Sequence, residues 1–369
     1  MNNNILLIYG GNSVEHEISI ITAVQLKKNY KGKYNLLLCY LKDGEFYFSS
    51  KLCNLDTYKK PLKNIPKISF KANKNYFYVK GRKISFLSTW VVAHGANCED
   101  GTLSSYFKTL HIDTISQPLD TACIGQNKIL TKKLCSVPII DYFEANDYLF
   151  SYELKHLIDS AHKLSYPLVL KPSNLGSSIG VKTAQNTEEL IVSIEELLHL
   201  TREVIIEKHI NKFVELNVAI ISYKNELIVS EIEKVSSSKI LSYDDKYVNN
   251  SKSLDGQKKE LPAKIDEKLR QQLIDYAMSA YTNLKCKYIV RFDFIYDEQN
   301  DILYLNEINN IPGSLALYLF EKIGIEKNKI IDMYLDQGLE DLSNEKTIIT
   351  SYEQNILKDN NFNFFKTIK

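Results

Sequence analysis

The sequence predicts an α/β fold in which strand and helix units build a parallel sheet first and further sheets after it. Near the N-terminus, the apolar run ILLIYG is followed by a helical stretch at about residues 14–28 and by the run NLLLCYL. Farther on, the runs PLVLKP and IGVKTA are joined by a short polar loop. Such alternation is typical of parallel sheets, which bind ligands at the carboxyl ends of their strands.

The N-terminal region, residues 1–118, is expected to form one α/β domain. Its first strand ends at the turn Gly10-Gly11, and the run WVVAHG precedes another helical stretch. The lysine- and tyrosine-rich segment 51–83 interrupts the alternation and is predicted to form a β excursion. We expect ligand contacts where the first strand ends.

Two further domains are predicted, at residues 119–204 and 205–345. The first carries helices at about 128–134 and 153–164 ahead of the strand–loop–strand unit, and the second begins with the run VIIEKHI.

Two polar segments follow from composition. Residues 236–260 are too hydrophilic to be buried and are long for a loop in a compact domain. Loops of that length are usually functional lids or disordered. The tail at residues 346–369 is rich in Asn and Lys, and no function is assigned to it.

The most informative segment is a predicted β-hairpin near residue 300. The runs YIVRFDFIYD and ILYLNEINN flank the polar turn 298–301. Because side chains alternate between the two faces of a strand, Arg291 and Asp293 share one face while the aromatic residues beside them take the core face.

The register of the hairpin determines which side chains of the two strands lie opposite each other. If it centres on Asn300, Asp293 falls opposite Glu307, and Arg291 falls opposite Asn309. Directly opposed carboxylates repel each other. A divalent cation such as Mg²⁺, which binds one or two carboxylates together with phosphate oxygens, removes that conflict. A solvated sheet face with scattered charges is the alternative, and the hairpin alone does not decide between them.

A second candidate site is the loop that follows Lys171 and contains Gly176, Ser177, Ser178 and Gly180. Small residues let backbone N–H groups and hydroxyls approach phosphate oxygens, and a lysine at the strand end supplies positive charge. The chain has no G-x-x-x-x-G-K-[ST] motif, so this loop is not a P-loop. An ordinary serine- and glycine-containing turn is the alternative.

Four more charged residues are candidates from their positions. Lys128 and Lys132 lie four apart on a predicted helix, so both can point into a cleft, although lysines at that spacing usually face solvent. Glu207 and Glu215 bracket a strand–turn–strand segment and could accept hydrogen bonds from an adenine amino group or ribose hydroxyls. Two surface glutamates are the alternative.

Composition excludes several classes of partner. The 369 residues include 46 basic and 45 acidic side chains, a formal net charge of +1, which argues against bulk-charge binding to nucleic acid or membranes. The six cysteines form no C-x-x-C pair, which argues against a disulfide framework or structural zinc. No apolar run approaches the ~18 residues that span a bilayer, and no signal-peptide pattern is present. We expect a cytoplasmic protein with small-molecule partners.

These separate signals occur in a specific order along the chain. The order is Gly10-Gly11 with Glu15-His16-Glu17-Ile18-Ser19, His94-Gly95 with Glu99-Asp100-Gly101, Lys171-Pro172 with Gly176-Ser177-Ser178, and Arg291-x-Asp293-Phe294 with Glu307-x-Asn309 and Pro312-Gly313. In this combination the chain resembles, from its first strand to about residue 320, the D-alanine–D-alanine ligases of the ATP-grasp superfamily. The resemblance implies three α/β domains, with the nucleotide between the central and C-terminal domains.

The resemblance also implies a reaction, the ATP-driven condensation of two D-alanines through an acyl phosphate, for peptidoglycan precursors. By that likeness, Asp293, Glu307 and Asn309 hold two Mg²⁺ ions, with Mn²⁺ as an alternative metal. Arg291 and the N–H of Gly313 are implied to stabilise the oxyanion of a tetrahedral intermediate.

The remaining implied contacts divide between ATP and the amino acid. Contacts to ATP are implied for Lys128, Lys171, Ser178, Glu207, Glu215 and Lys246. Glu15 is implied to bind the ammonium of the first D-alanine, with hydrogen bonds to Ser177 and to Tyr247 of a closing lid. A helix-capping role is the alternative for Glu15, because Asn12-x-x-Glu15 fits a capping box. A homodimer is also expected.

The sequence departs from the family pattern at three points. Cys98 stands where glycine is usual. The spacing from Glu207 to Glu215 is one residue longer than in the family pattern. Tyr318 stands where a serine is expected to hold the carboxylate of the second substrate. This change keeps open an ATP-grasp ligase that takes D-serine or D-lactate second.

Two functions of other classes are weaker. A nucleotide-binding protein without catalysis predicts ATP binding without turnover, but the arginine and the metal residues are retained. A nicotinamide oxidoreductase has little support, because Gly10-Gly11 lacks the G-x-G-x-x-G spacing.

Overall fold

The computed structural model describes residues 2–62, 64–236 and 258–348. The strands in these ranges are β1 (Asn4–Gly10), β2 (Asn35–Lys42), β3 (Glu45–Phe48), β4 (Lys67–Ile68), β5 (Tyr76–Val79), β6 (Arg82–Ser85), β7 (Ser88–Val91), β8 (Thr114–Ile115), β9 (Tyr142–Asn146), β10 (Leu168–Pro172), β11 (Lys182–Ala184), β12 (Glu203–Lys208), β13 (Phe213–Tyr223), β14 (Glu226–Val229), β15 (Glu233–Ser236), β16 (Lys258–Glu260), β17 (Ile289–Asp297) and β18 (Ile302–Asn309). The α-helices are α1 (His16–Asn29), α2 (Thr102–Thr109), α3 (Leu119–Gln126), α4 (Lys128–Leu134), α5 (Asp147–Tyr152), α6 (Leu154–Leu164), α7 (Thr187–Leu198), α8 (Glu267–Asn283), α9 (Leu317–Glu321) and α10 (Lys327–Glu345).

Strands β2, β1, β7 and β8 of the first sheet confirm the predicted parallel arrangement, whereas β3 and β4 join it in antiparallel pairs. Its strand order is β4-β3-β2-β1-β7-β8, and β1 runs parallel to β2 and to β7. Strand β1 is almost entirely buried because it lies in the middle of this sheet. The segment 51–83 adds β4 and the separate hairpin β5–β6, as the predicted β excursion.

The second sheet is antiparallel, with the order β11-β10-β12-β9. The strand that was expected to open the third domain is β12, and it pairs with β10 and β9 inside this sheet. Its Ile205 and Ile206 are fully buried there, so the sheet continues to Lys208, past the predicted boundary at residue 204. The division into three domains otherwise stays a prediction.

The third sheet has the order β16-β15-β13-β17-β18, with β14 paired to β13. Helix α8 packs on it, and Leu273 of α8 shares one apolar core with Leu216 of β13 and Phe292 of β17. Phe292 and Phe294 are fully buried, which confirms the predicted core face of the hairpin. Burial of each such side chain contributes about 1.5–3 kcal/mol.

A further core joins the first sheet to the C-terminal helices. The rings of Trp90 in β7 and Tyr334 in α10 lie 5.0 Å apart, and the same apolar cluster includes Ile289 of β17. This packing fixes the first sheet relative to the hairpin. Among the described residues, the helices include none that is long and apolar enough to cross a membrane.

Candidate active site

One cavity of about 500 Å³ is lined by residues of the second and third sheets and by segments that follow strands of the first sheet. Its walls include every predicted site residue that the structure describes: Glu15, Lys128, Lys171, Ser177, Ser178, Glu207, Glu215, Arg291, Asp293, Glu307, Asn309 and Gly313. The other two predicted residues, Lys246 and Tyr247, lie outside the described ranges. The sequence therefore predicted a set of residues that share one site, while the role of each stays a prediction.

The hairpin register is the one predicted, with Arg291 opposite Asn309 and Asp293 opposite Glu307. The turn alone does not produce this register, since the pairing near the turn would place Asp293 opposite Asn306. A β-bulge after Asp293 leaves Asn306 as an extra residue on β18 and brings the two carboxylates face to face. Bulges next to active sites commonly re-aim side chains in this way.

Asp293 lies in a network of hydrogen bonds. Arg291 Nε donates to Asp293 Oδ1 at 2.6 Å, and Arg291 Nη2 donates to Asp293 Oδ2 at 2.7 Å. Asn309 Nδ2 donates to the same Oδ2 at 3.0 Å. Burial raises the pKa of Asp293; Arg291 opposes this rise and Glu307 adds to it. A bound cation would offset both the burial and the repulsion.

These residues fit a metal that arrives with a nucleotide. Within the described part of the chain, no three His, Cys, Asp or Glu side chains gather as a metal site. The predicted set offers two carboxylates and one amide oxygen. Mg²⁺ in nucleotide enzymes is usually held by one or two carboxylates, with substrate phosphates and water completing its shell. The donor set matches that kind of site.

Glu207 is buried between two lysines, so the surface-glutamate alternative is wrong for it. Lys132 Nζ lies 2.8 Å from Glu207 Oε1, and Lys171 Nζ lies 2.6 Å from Glu207 Oε2. Burial would raise the pKa of Glu207, but the two ammonium groups outweigh it and lower that pKa to about 2. Both carboxylate oxygens therefore lie against lysine ammonium groups.

The two predicted lysines of helix α4 lie in different environments. Lys132 is fully buried beneath Glu207, so the expectation that it faces solvent or the cleft is wrong. Lys128 reaches the cavity, where its Nζ donates to Leu175 O at 2.7 Å and lies 3.7 Å from Glu307 Oε2. Lys128 therefore links the serine-rich loop to the hairpin.

Asn306 is a site residue that the sequence did not single out. Its Oδ1 accepts a hydrogen bond from Lys171 Nζ at 3.0 Å, which ties the bulge of β18 to the end of β10. Strand alternation does not reveal a bulge, so no sequence signal marked this residue.

Glu15 does not act as a helix cap. It stands at the start of α1, yet its side chain makes no capping hydrogen bond. Ser177 Oγ instead donates to Glu15 Oε1 at 2.5 Å, as the family resemblance implied. A Cβ placed on Gly176 would lie 3.0 Å from the same oxygen, so glycine lets the loop approach this carboxylate.

The serine-rich loop is held in an unusual backbone conformation. Ser177 and Ser178 have φ values of 56° and 59°, in the left-handed region. Such conformations cost about 1–3 kcal/mol each and concentrate at functional sites. The ordinary-turn alternative for this loop does not account for the hydrogen bond from Ser177 to Glu15.

Glu99 is another cavity residue to which the sequence gave no role. Its carboxylate accepts hydrogen bonds from Ile311 N at 2.9 Å and Gly95 N at 3.3 Å. Burial raises the pKa of Glu99 to about 7, and the nearby Glu15 carboxylate adds to the rise. Glu99 thus keeps its proton to a higher pH in the folded protein than in the unfolded chain.

This pKa predicts a pH dependence of stability. Between pH 4.5 and about 7 the folded protein binds the Glu99 proton more tightly than the unfolded chain, so the contribution of Glu99 to the free energy of unfolding falls as pH rises. Glu99→Gln removes this titration. Urea unfolding at pH 5 and pH 8 should show wild type losing roughly 1–3 kcal/mol relative to Glu99→Gln. A difference that is independent of pH would contradict the raised pKa.

Cys98, which stands where the family pattern has glycine, packs into the fold. Its side chain is buried, and its Sγ lies 2.5 Å from where a Cβ on Gly11 would stand. The thiol therefore fills the space beside the Gly10-Gly11 turn.

Comparison with known proteins identifies the family. The model of the D-ala D-ala ligase N-terminus matches residues 4–116, and the model of the D-ala D-ala ligase C-terminus matches residues 133–336. The chain belongs to the D-ala D-ala ligase family. Its fold is accordingly the ATP-grasp fold predicted from the resemblance.

Individual relatives are similar to this D-ala D-ala ligase family member over nearly its whole length. A D-alanine–D-alanine ligase of Thermosipho melanesiensis is 33% identical, over 96% of this chain and 98% of that protein. Two solved structures are similar. The VanG D-Ala:D-Ser ligase from Enterococcus faecalis has a TM-score of 0.78 at 27% identity, covering 92% of this chain and 100% of that one. D-Alanine-D-alanine ligase from Helicobacter pylori has a TM-score of 0.71 at 28% identity, covering 92% and 98%.

Proposed function

We propose that this chain catalyses the ATP-dependent condensation of two D-alanines to D-alanyl-D-alanine, a peptidoglycan precursor. The observation that carries the proposal is the single cavity in which the Asp293–Glu307 pair and the lysines near it meet Glu15 and Arg291. ATP lies between the second and third sheets, and the amino acids lie toward the first sheet.

The chemistry follows from the substrates. A carboxylate oxygen of the first D-alanine attacks the γ-phosphorus of ATP, and ADP leaves with the electrons of the broken P–O bond. The amine nitrogen of the second D-alanine, after losing a proton, attacks the resulting acyl carbon, and phosphate departs. Activation is needed because a free carboxylate is a poor electrophile.

The residues of the chain bind and orient these groups. The Glu15 carboxylate pairs with the ammonium of the first D-alanine, since a buried ammonium needs an opposite charge. Lys128, Lys171 and Ser178 hold the phosphates, and Glu215 faces the ribose. The Glu207 carboxylate holds Lys171 in place, which is a more indirect contribution than the adenine contact implied by the resemblance.

Arg291 and the N–H of Gly313 stabilise the oxyanion that forms when the amine adds. A Cβ on Gly313 would meet no atom of the described residues within 4 Å, so these residues leave room for a substrate at that backbone. Lys246 and Tyr247 complete the proposed closure over the site.

Asp293, Glu307 and Asn309 would hold Mg²⁺, as two ions, or Mn²⁺ in its place. When bound, the metal neutralises charge on the transferring phosphoryl group. We further propose that the protein acts in the cytoplasm as a homodimer. Analytical ultracentrifugation of the purified chain tests the dimer.

The direct test of the activity is product analysis. Purified protein with ATP, Mg²⁺ and D-alanine should release ADP and phosphate and yield the dipeptide, identified by mass spectrometry. A panel containing D-serine and D-lactate should yield less mixed product than dipeptide. ATP binding without any dipeptide would overturn the proposal.

Substitutions of Ser177 and Ser178 should separate the binding of the first D-alanine from the binding of ATP. Ser177→Ala removes the hydrogen bond to Glu15 and should raise KM for the first D-alanine by about tenfold, since hydrogen bonds to charged groups contribute about 1.5–3 kcal/mol. Ser178→Ala should raise KM for ATP instead. Steady-state kinetics with each substrate varied in turn measures both, and equal effects of the two variants on both KM values would refute the assignment.

A further inference from the structure

A cluster of three side chains lies in the part of the cavity around Tyr318, the residue that stands where the family pattern has a serine. Tyr318 Oη donates a hydrogen bond to Glu233 Oε2 at 2.9 Å. Lys259 Nζ lies 3.4 Å from Glu233 Oε1 and 5.8 Å from the centre of the Tyr318 ring. All three side chains line the same cavity as Arg291 and Gly313.

The hydrogen bond from Tyr318 changes what its hydroxyl can offer. A serine at this position was expected to donate a hydrogen bond to the carboxylate of the second substrate. The Tyr318 hydroxyl has a single proton, which it gives to Glu233, so only its oxygen lone pairs remain. The carboxylate of the second substrate therefore needs another partner.

Among the described residues, Lys259 is a cation next to Tyr318 that is placed to be that partner. Its side chain is 55% exposed, whereas that of Glu233 is 3% exposed, so the ammonium lies toward the opening and the carboxylate lies inside. Their separation of 3.4 Å is longer than the 2.7–2.9 Å of a tight charge-assisted hydrogen bond. A zwitterionic amino acid carries both opposite charges and can pair with each member of such a loose ion pair.

We propose that Lys259 and Glu233, with Tyr318 holding Glu233 in place, form the subsite that selects the second substrate as an amino acid. Lys259 binds its carboxylate, and Glu233 binds its ammonium. A 2-hydroxy acid such as D-lactate satisfies Lys259 but brings no ammonium group to Glu233. The subsite thus favours the binding of an amino acid over that of a 2-hydroxy acid, and the bound ammonium loses a proton before its nitrogen attacks. This inference rests on the proposed ligase function.

Two variants separate the two contacts. Steady-state kinetics at saturating ATP should give KM for the second D-alanine, and D-lactate should be assayed as a competitor at that step. Lys259→Met should weaken D-alanine and D-lactate alike, by about tenfold or more, because both carry a carboxylate. Glu233→Gln should weaken only D-alanine by that factor, so that the preference for D-alanine over D-lactate falls about tenfold.

Matched controls are available on the protein surface. Lys264 and Glu260 form an ion pair at 3.2 Å in which the side chains are 88% and 34% exposed, and neither residue lines the cavity. Lys264→Met and Glu260→Gln should leave both constants unchanged. If Glu233→Gln does not fold, Glu233→Asp, which withdraws the carboxylate by one methylene, should still weaken D-alanine selectively.

The possible outcomes are distinct. A wild-type protein that forms no dipeptide overturns the proposed function itself. Dipeptide formation by wild type, with an unchanged KM for the second D-alanine in both variants, overturns only this subsite. Equal weakening of D-alanine and D-lactate by Glu233→Gln overturns the ammonium contact.

Discussion

Replacing Glu307 by glutamine is expected to lower the rate of ADP release by at least about 10²–10³-fold, the usual effect of removing one preorganised charge-stabilising group. The variant keeps the size of the side chain but loses the charge that faces Asp293 across the hairpin. Asp293→Asn should have an effect of the same order. ADP release in a coupled assay, with Mg²⁺ varied, measures both variants.

The hairpin offers a matched control for these substitutions. Asp301 lies in the turn of the same hairpin, 70% exposed, where it accepts a hydrogen bond from Tyr296 Oη at 2.7 Å and lies 3.6 Å from Lys268 Nζ. Asp301→Asn should retain full turnover. Circular dichroism should show that each variant is folded, and normal turnover by folded Glu307→Gln would eliminate the metal assignment.

Glu207→Gln should produce the largest loss of stability among the site variants. It removes the negative charge that Lys132 and Lys171 share in the interior, which leaves two buried ammonium groups without their partner. Breaking a buried ion pair from one side typically costs 3–5 kcal/mol. Urea unfolding at pH 7 should therefore show the free energy of unfolding falling by about that amount.

A second variant distinguishes charge pairing from packing at this position. Lys132→Met together with Glu207→Gln removes one of the two unpaired ammonium groups, so the double variant should be more stable than Glu207→Gln alone. Lys133, on the same helix as Lys132, forms a half-exposed ion pair with Glu144 of β9. Glu144→Gln should therefore change the free energy of unfolding by less than about 1 kcal/mol. A double variant no more stable than the single one would contradict the buried-charge account.

The predicted site residues that the structure describes line one cavity, although their roles stay predictions, because spacing in a regular strand carries geometric information. Alternation along β17 was sufficient to place Arg291 and Asp293 on one face and Phe292 on the other. The register that opposes Asp293 to Glu307 was also predicted, but its physical cause, the bulge at Asn306, leaves no signature in a pattern with a period of two.

Predictions about isolated charged residues were less accurate. Lys132 was expected at the surface or in the cleft, and Glu207 at the surface or on a nucleotide. Their burial against each other depends on β10, β12 and α4 meeting in three dimensions, which helical spacing does not reveal. Likewise, Asn12 and Glu15 fit a capping box locally, but the hydrogen bond from Ser177, a residue far along the chain, takes the carboxylate instead.

The most direct test of the central claim is to follow an oxygen atom. We claim that this cavity activates a D-alanine carboxylate by transferring the γ-phosphoryl group of ATP to it. With D-alanine labelled by ¹⁸O in both carboxylate oxygens, the phosphate released with the dipeptide should contain one ¹⁸O atom, detected by mass spectrometry or ³¹P NMR. Unlabelled phosphate released together with dipeptide would contradict the account.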